Sequence, residues 1–143
     1  MADMNTVGII GAGQMGCGIA HVFALSGARV LLNDISQDRI EAGIATIKRV
    51  GLGNIKLMFD CYHTQIMQGD VIRRIETNLD FIGHVQIAAV PDRGEPDHGE
   101  LCYQDILLAL DAAGYEGYIG AEYRPAASTE AGLGWLANAR GWQ

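Results

Sequence analysis

Gly11, Gly13 and Gly16 stand as GxGxxG in the stretch VGIIGAGQMGCG, residues 7–18, with Gln14 and Met15 between the last two glycines. The spacing suits a phosphate-binding turn. The first glycine permits a tight turn, the second lets backbone approach a pyrophosphate, and the third lets helix pack on strand. The helix that follows would turn free N–H groups toward the phosphates. Asp34 lies 18 residues after Gly16, at the end of the next apolar run. A carboxylate there accepts from a ribose 2′-OH and repels a 2′-phosphate, so the pattern favours NAD over NADP. Glycines that serve only turn and packing would give the same string. A second set of polar residues falls at or near the ends of later apolar runs: Asp60, Gln86 and Glu122. Parallel strands would show all three on one rim, where oxygen ligands can meet a hard divalent cation. His63 follows Asp60 by three residues, and Arg93 lies in the loop after the run that carries Gln86. Polar residues that merely cap strands make the same arrangement.

The elements that must position these residues are legible as alternating patterns. Short apolar runs at 7–10, 28–33, 55–60, 84–90 and 118–122 are bounded by Gly, Asp or Pro, as buried parallel strands are. Between them lie helical stripes. One is Ile40, Ile44 and Ile47, with Ser36 as N-cap; another is Val71, Ile75, Leu79 and Ile82. A third is Ile106, Leu107, Leu110 and Ala113, closed by Gly114. Residues 14–25 read as the first helix and 129–139 as the last. Residues 91–100 form one long polar loop, rich in Pro, Gly and acid. Five strand–helix units predict an α/β fold with a parallel sheet. The favoured arrangement is a Rossmann- or flavodoxin-like open, doubly wound sheet of order 2-1-3-4-5. The alternative is a half-barrel of order 1-2-3-4-5, with all helices on one face.

The bulk properties narrow the classes. The 143 residues suit one domain, and 49% hydrophobic residues exclude a disordered chain. A net charge of −7 repels phosphate backbones, so nucleic acid is not an expected partner. Cys17, Cys61 and Cys102 are odd in number and scattered, which reads as reduced thiols in a cytoplasmic setting; Cys61 and Cys102 are expected to be small core residues. No apolar run approaches a membrane span, and no signal peptide is recognised. The expected state is a monomer or homodimer. His21 is expected to be a packed or surface residue. Trp135 and Trp142 are expected to pack the last helix.

Two resemblances sharpen these readings. MNTVGIIGAGQMGCGIAHVFALSGARVLLNDIS, beginning at Met4, resembles the N-terminus of 3-hydroxyacyl-CoA dehydrogenases, with the likeness running through about residue 47. It implies a βαβα piece holding the adenosine and pyrophosphate half of NAD. That family's catalytic His–Glu pair has no counterpart here. The segments NIKLMFDCYHTQI (54–66), HVQIAAVPDRGEPDHGE (84–100) and YIGAEYRP (118–125) resemble hydroxypyruvate isomerase, a xylose-isomerase-type (β/α)8 barrel. This likeness covers about residues 48–136. It implies that Asp60, Gln86 and Glu122 match three of the family's four metal ligands. It also implies that Glu122 is one of two carboxylates that move the proton, and that His63 and Arg93 match substrate contacts. Where that family continues with Arg-Gly, Ala126 and Ala127 stand here.

The combined expectation is a constructed chimeric α/β scaffold, one domain over 1–143, built from a Rossmann-derived segment 1–47 and a TIM-barrel-derived segment 48–143. Neither inherited active site would be complete. NAD or adenine-nucleotide binding would persist through Gly11, Gly13, Gln14, Met15, Gly16 and Asp34. Mg2+ or Mn2+ would bind weakly or not at all at Asp60, Gln86 and Glu122. The alternatives are an NAD-dependent 3-hydroxyacyl-CoA dehydrogenase-type oxidoreductase, or a metal-dependent hydroxypyruvate isomerase-type activity completed by a second chain.

Overall fold

The computed structural model describes residues 5–34, 37–51 and 53–139. The elements run β1 (Thr6–Ile10), α1 (Gln14–Leu25), β2 (Arg29–Asn33), α2 (Gln37–Val50), β3 (Ile55–Asp60), α3 (Cys61–Met67), α4 (Val71–Asn78), β4 (Ile82–Ile87), α5 (Tyr103–Ala112), β5 (Tyr118–Ala121) and α6 (Gly134–Ala139). Short 3-10 turns occupy Leu79–Phe81 and Ala131–Leu133. The five strands form one sheet in the order β1-β2-β3-β4-β5. Val7 pairs with Val30 and Leu32 with Leu57, both in parallel register.

This order corrects the doubly wound 2-1-3-4-5 arrangement and matches the half-barrel alternative. The pairing of β1 with β2 is common to both orders, because those two strands are neighbours in a doubly wound sheet as well. The distinction lies in β3, which pairs with β2, Val30 beside Ile55, instead of lying beside β1; β4 next to β3 is common to both orders.

The chain divides into two units. One extends to Phe59 and takes in Asp80–His84; the other comprises Asp60–Leu79 and the chain from Val85 onward. In the first unit the core lies on a single sheet face. Ile9, Val30, Leu32, Ile55 and Leu57 are buried with Ala20, Ala24 and Ile47 of the two helices, and Ile40 and Ile44 pack against them. The alternate positions are uncovered to varying degree: Ile10 is 90% exposed, Gly8 is exposed, and Leu31, Lys56 and Met58 are half-buried. Consecutive right-handed crossovers produce this one-sided cover, because each helix returns on the same face. Lys56 satisfies its ammonium by donating to the Asp80 carbonyl at 2.6 Å.

In the second unit Val71 and Ile75 of α4 and Tyr103, Ile106 and Leu110 of α5 are buried. The stripe expected to run on through Leu79 and Ile82 stops earlier: Leu79 begins a 3-10 turn and Ile82 begins β4. Gly114, in the left-handed region, follows α5 as expected. Helix α3 has no apolar stripe to announce it in the sequence. Trp135 is buried and meets Tyr123 edge-on. Ser36 and Trp142 lie outside the described residues.

Candidate active site

The polar residues singled out at the ends of β3, β4 and β5 all fall in the second unit. Asp60 ends β3 and caps α3: its Oδ1 accepts the backbone N–H of His63 at 3.1 Å. That cap explains why the chain turns directly from strand into helix, satisfying one of the helix's orphan donors. It also holds His63 beside the carboxylate, with Nε2 at 3.8 Å from Asp60 Oδ2. Tyr62 stands edge-on to the His63 ring and donates its hydroxyl to the Pro91 carbonyl at 3.3 Å. Over the Tyr62 ring, 5.2 Å from its centroid, lies the Arg93 guanidinium.

Arg93 reaches this place from a backbone at φ 58°, unusual for a residue with a side chain. Its N–H donates to the Ala89 carbonyl at 2.9 Å, and its carbonyl accepts from Arg124 N–H at 2.8 Å. Glu122 follows β5 directly, and its N–H donates to the Ile87 carbonyl at 3.1 Å. Arg93 Nη2 and Glu122 Oε1 then meet at 3.0 Å. The result is a cluster of polar groups: Asp60, His63, Arg93 and Glu122. Asp60 is only 8% exposed. Burial raises its carboxyl above the ordinary carboxylate value, and the charge of Glu122 adds to the rise. The His63 N–H, the His63 ring and Arg93 oppose it. Gln86 is half-buried within β4, one residue before its end.

Glu122 is engaged by Arg93, and among the described residues no three His, Cys, Asp or Glu side chains converge to hold a metal ion.

The glycine loop lies in the first unit. Gly11, at φ 103°, makes the turn, and its N–H donates to the Asn33 carbonyl at 2.7 Å. A Cβ at Gly16 would land on the Gly11 carbonyl oxygen, so close packing of α1 on the turn fixes that glycine. Asp34 is buried, and its Oδ2 accepts the Ala12 N–H at 2.7 Å, with Arg39 at 3.7 Å. Gly13 precedes α1 as its N-cap, and Gln14 and Met15 are its first residues. Gln14 and the exposed His21 line a groove of about 410 Å³ with Arg39 and Arg49.

Three features of the second unit escape a reading of the sequence. Tyr62 has no motif to announce it. Glu95 accepts the Ala126 N–H at 3.0 Å, bracing the loop where the sequence departs from Arg-Gly. His98 lies between Asp92 and Asp97, a cluster that the acid-rich composition of 91–100 could have signalled. Among the cysteines, Cys61 is fully buried, and burial pushes its thiol up, away from reactivity. Cys102 is exposed at the N-cap of α5, against the expectation of a core residue.

Comparison with known proteins defines the class. A match to the xylose isomerase-like TIM barrel family covers residues 17–139, and the chain belongs to that family. It is similar to 2-oxo-tetronate isomerase of Cupriavidus necator, 46% identical over 125 residues, covering 82% of this chain and 48% of that protein. Hydroxypyruvate isomerase of Escherichia coli K12 is 42% identical over 90 residues, covering 63% of this chain and 35% of that protein. Among solved structures, a family 2 AP endonuclease from Brucella melitensis superposes with a TM-score of 0.73 at 40% identity, over 85% of this chain and 50% of the other. The chain therefore spans about half the length of the first of these relatives.

These matches overturn the chimeric scaffold and the dehydrogenase reading. The family match begins at Cys17, inside the glycine-rich stretch, and so includes most of the segment assigned to a Rossmann parent. The relatives carry isomerase names, not dehydrogenase names. The glycine spacing does not by itself assign a dehydrogenase, because a tight turn from a parallel strand into a helix packed closely upon it needs the same residues with or without a dinucleotide.

Proposed function

We propose that this protein belongs to an isomerase acting on a short hydroxy-oxo acid, shifting a carbonyl to the adjacent carbon by proton transfer. The observation that carries the reading is the cluster of Asp60, His63, Arg93 and Glu122 in a chain similar to two isomerases of 2-oxo acids. Glu122 is the base: it takes the proton from the carbon that bears the hydroxyl, and the electron pair forms an enediolate across the two carbons. The same carboxyl returns the proton to the former carbonyl carbon, while the hydroxyl proton passes to the former carbonyl oxygen, which becomes the new hydroxyl. Arg93, released from Glu122, takes the substrate carboxylate, and the guanidinium fork matches that group. His63 holds an oxygen of the reacting pair. Asp60 sets a second, buried carboxyl beside His63.

The test is isomerisation of hydroxypyruvate in deuterated buffer, followed by proton NMR. Exchange at the hydroxymethyl carbon together with an aldehyde product supports the reading. Glu122→Gln is expected to lower the rate by roughly 10²–10⁴-fold, the usual contribution of a general base. Exchange and turnover unchanged in Glu122→Gln would remove Glu122 from the role of base.

A further inference from the structure

The loop between β4 and α5 holds an ion-pair arrangement outside the cluster just described. His98 Nδ1 lies 2.9 Å from Asp97 Oδ1, and His98 Nε2 lies 2.9 Å from Asp92 Oδ2. Both ring nitrogens face carboxylates, so both bonds are fully made only by the doubly protonated imidazolium. The other oxygen of Asp92 accepts the Gly94 N–H at 3.2 Å. Asp92 and Gly94 flank Arg93. One end of the clamp thus fixes both peptide neighbours of the residue whose φ is 58°. A left-handed backbone at a residue with a side chain is strained and persists only where its surroundings determine it. Backbone bonds within the loop contribute as well. Ala89 N–H donates to the Gly94 carbonyl at 3.1 Å, and Glu100 N–H to the Val90 carbonyl at 2.9 Å. Arg93 is itself held by its N–H to Ala89 and its carbonyl from Arg124, and Asp92 adds the side-chain bond that ties residue 94 back to residue 92.

We propose that His98 is a positioning residue for substrate binding: bridging Asp92 and Asp97, it holds the left-handed turn that presents Arg93 to Glu122 and to the substrate carboxylate. The inference rests on the isomerase reading for its functional consequence, but the geometry it asserts stands apart from any activity. The two flanking carboxylates hold the imidazole well above its ordinary value, to about 9, so the clamp is charged throughout the neutral range.

The experiment uses the full chain labelled with nitrogen-15 and the variants His98→Gln, His98→Ala and His98→Lys. The first readout is NMR of the Arg93 backbone amide and guanidinium at neutral pH. In His98→Gln and His98→Ala both signals are expected to move toward values of a solvated, unpaired arginine. His98→Lys keeps a cation between the two carboxylates and is expected to restore part of the shift. The second readout is steady-state isomerisation. The neutral variants are expected to lose roughly 10- to 100-fold in kcat/KM, carried mainly by KM, because a binding group has been misplaced. A merely structural role would lower the active fraction and kcat, leaving KM alone. Arg93 signals in His98→Ala that superpose on those of the parent overturn the proposal. Should His98→Ala fail to fold, Asp92→Asn opens the same clamp with the imidazole in place and is read the same way. If the parent shows no isomerisation at all, the functional reading fails, while the NMR comparison still decides whether His98 positions Arg93.

Discussion

At the scale of single residues, Asp60 answers two opposing demands. Its carboxylate caps α3, which favours the charged acceptor, and it is buried, which favours the neutral acid. Burial wins, since the carboxyl lies above its ordinary value. A carboxyl raised in the folded state binds its proton more tightly there than in the unfolded chain. Its charge therefore costs stability at pH values above the folded pKa, and that cost disappears as pH falls through it. Asn at this position would keep a cap and carry no charge. Asp60→Asn is thus expected to raise the midpoint of thermal unfolding at pH 7, with the advantage shrinking as the buffer is made acidic, while isomerisation falls. Calorimetric scans at several pH values check this; a lower midpoint at pH 7 would mean that the carboxylate's pairing with His63 outweighs its burial. Asp60→Ala loses the cap as well and is expected to cost about 0.5–2 kcal/mol at the helix terminus.

The elements show where local pattern stops deciding. The apolar run at 84–90 predicts a strand reaching Val90, yet β4 ends at Ile87. The reason is a side chain from α5. The buried Tyr103 hydroxyl accepts the Ala88 N–H at 3.1 Å and donates to the Ala88 carbonyl at 2.8 Å, taking both groups that a neighbouring strand would use. The chain is then free to turn into the loop that carries Arg93. Tyr103→Phe leaves a buried donor and acceptor unpaired and is expected to cost about 1–3 kcal/mol in urea unfolding. A loss below a few tenths would show that water replaces the hydroxyl. The stripe of Val71, Ile75, Leu79 and Ile82 also extends past its element, because Asn78 closes α4 and the chain tightens into a 3-10 turn.

For the whole molecule, strand order decides what each face of the sheet must be. In the first unit one face is covered by α1 and α2, and the other leaves Ile10 bare. The outer side of α1 is apolar too: Met15 is 81% exposed, and Val22 and Leu25 are each 66% exposed. Apolar surface of this kind takes up hydrophobic dyes. The native chain is expected to bind such a dye, and Val22→Lys combined with Leu25→Glu to weaken the signal, with each change shifting stability by no more than about 0.5 kcal/mol. Fluorescence titration and unfolding on the same samples check it; dye binding unchanged in the double variant would place the exposed surface elsewhere.

The sequence by itself determined the alternation of strands and helices, the span of α1 and β3, the turn at Gly11 and the polar loop at 91–100, because these follow from periodicity and backbone freedom over a few residues. It also put Asp60, His63, Arg93 and Glu122 forward as a group through resemblance to an isomerase. The tertiary structure decided that β3 lies beside β2 and not β1, since pairing between strands depends on crossovers that no local pattern encodes. It decided as well that Asp34 bonds the Ala12 N–H and that His98 sits between two carboxylates, because each is an encounter of side chain with distant backbone or with a folded loop.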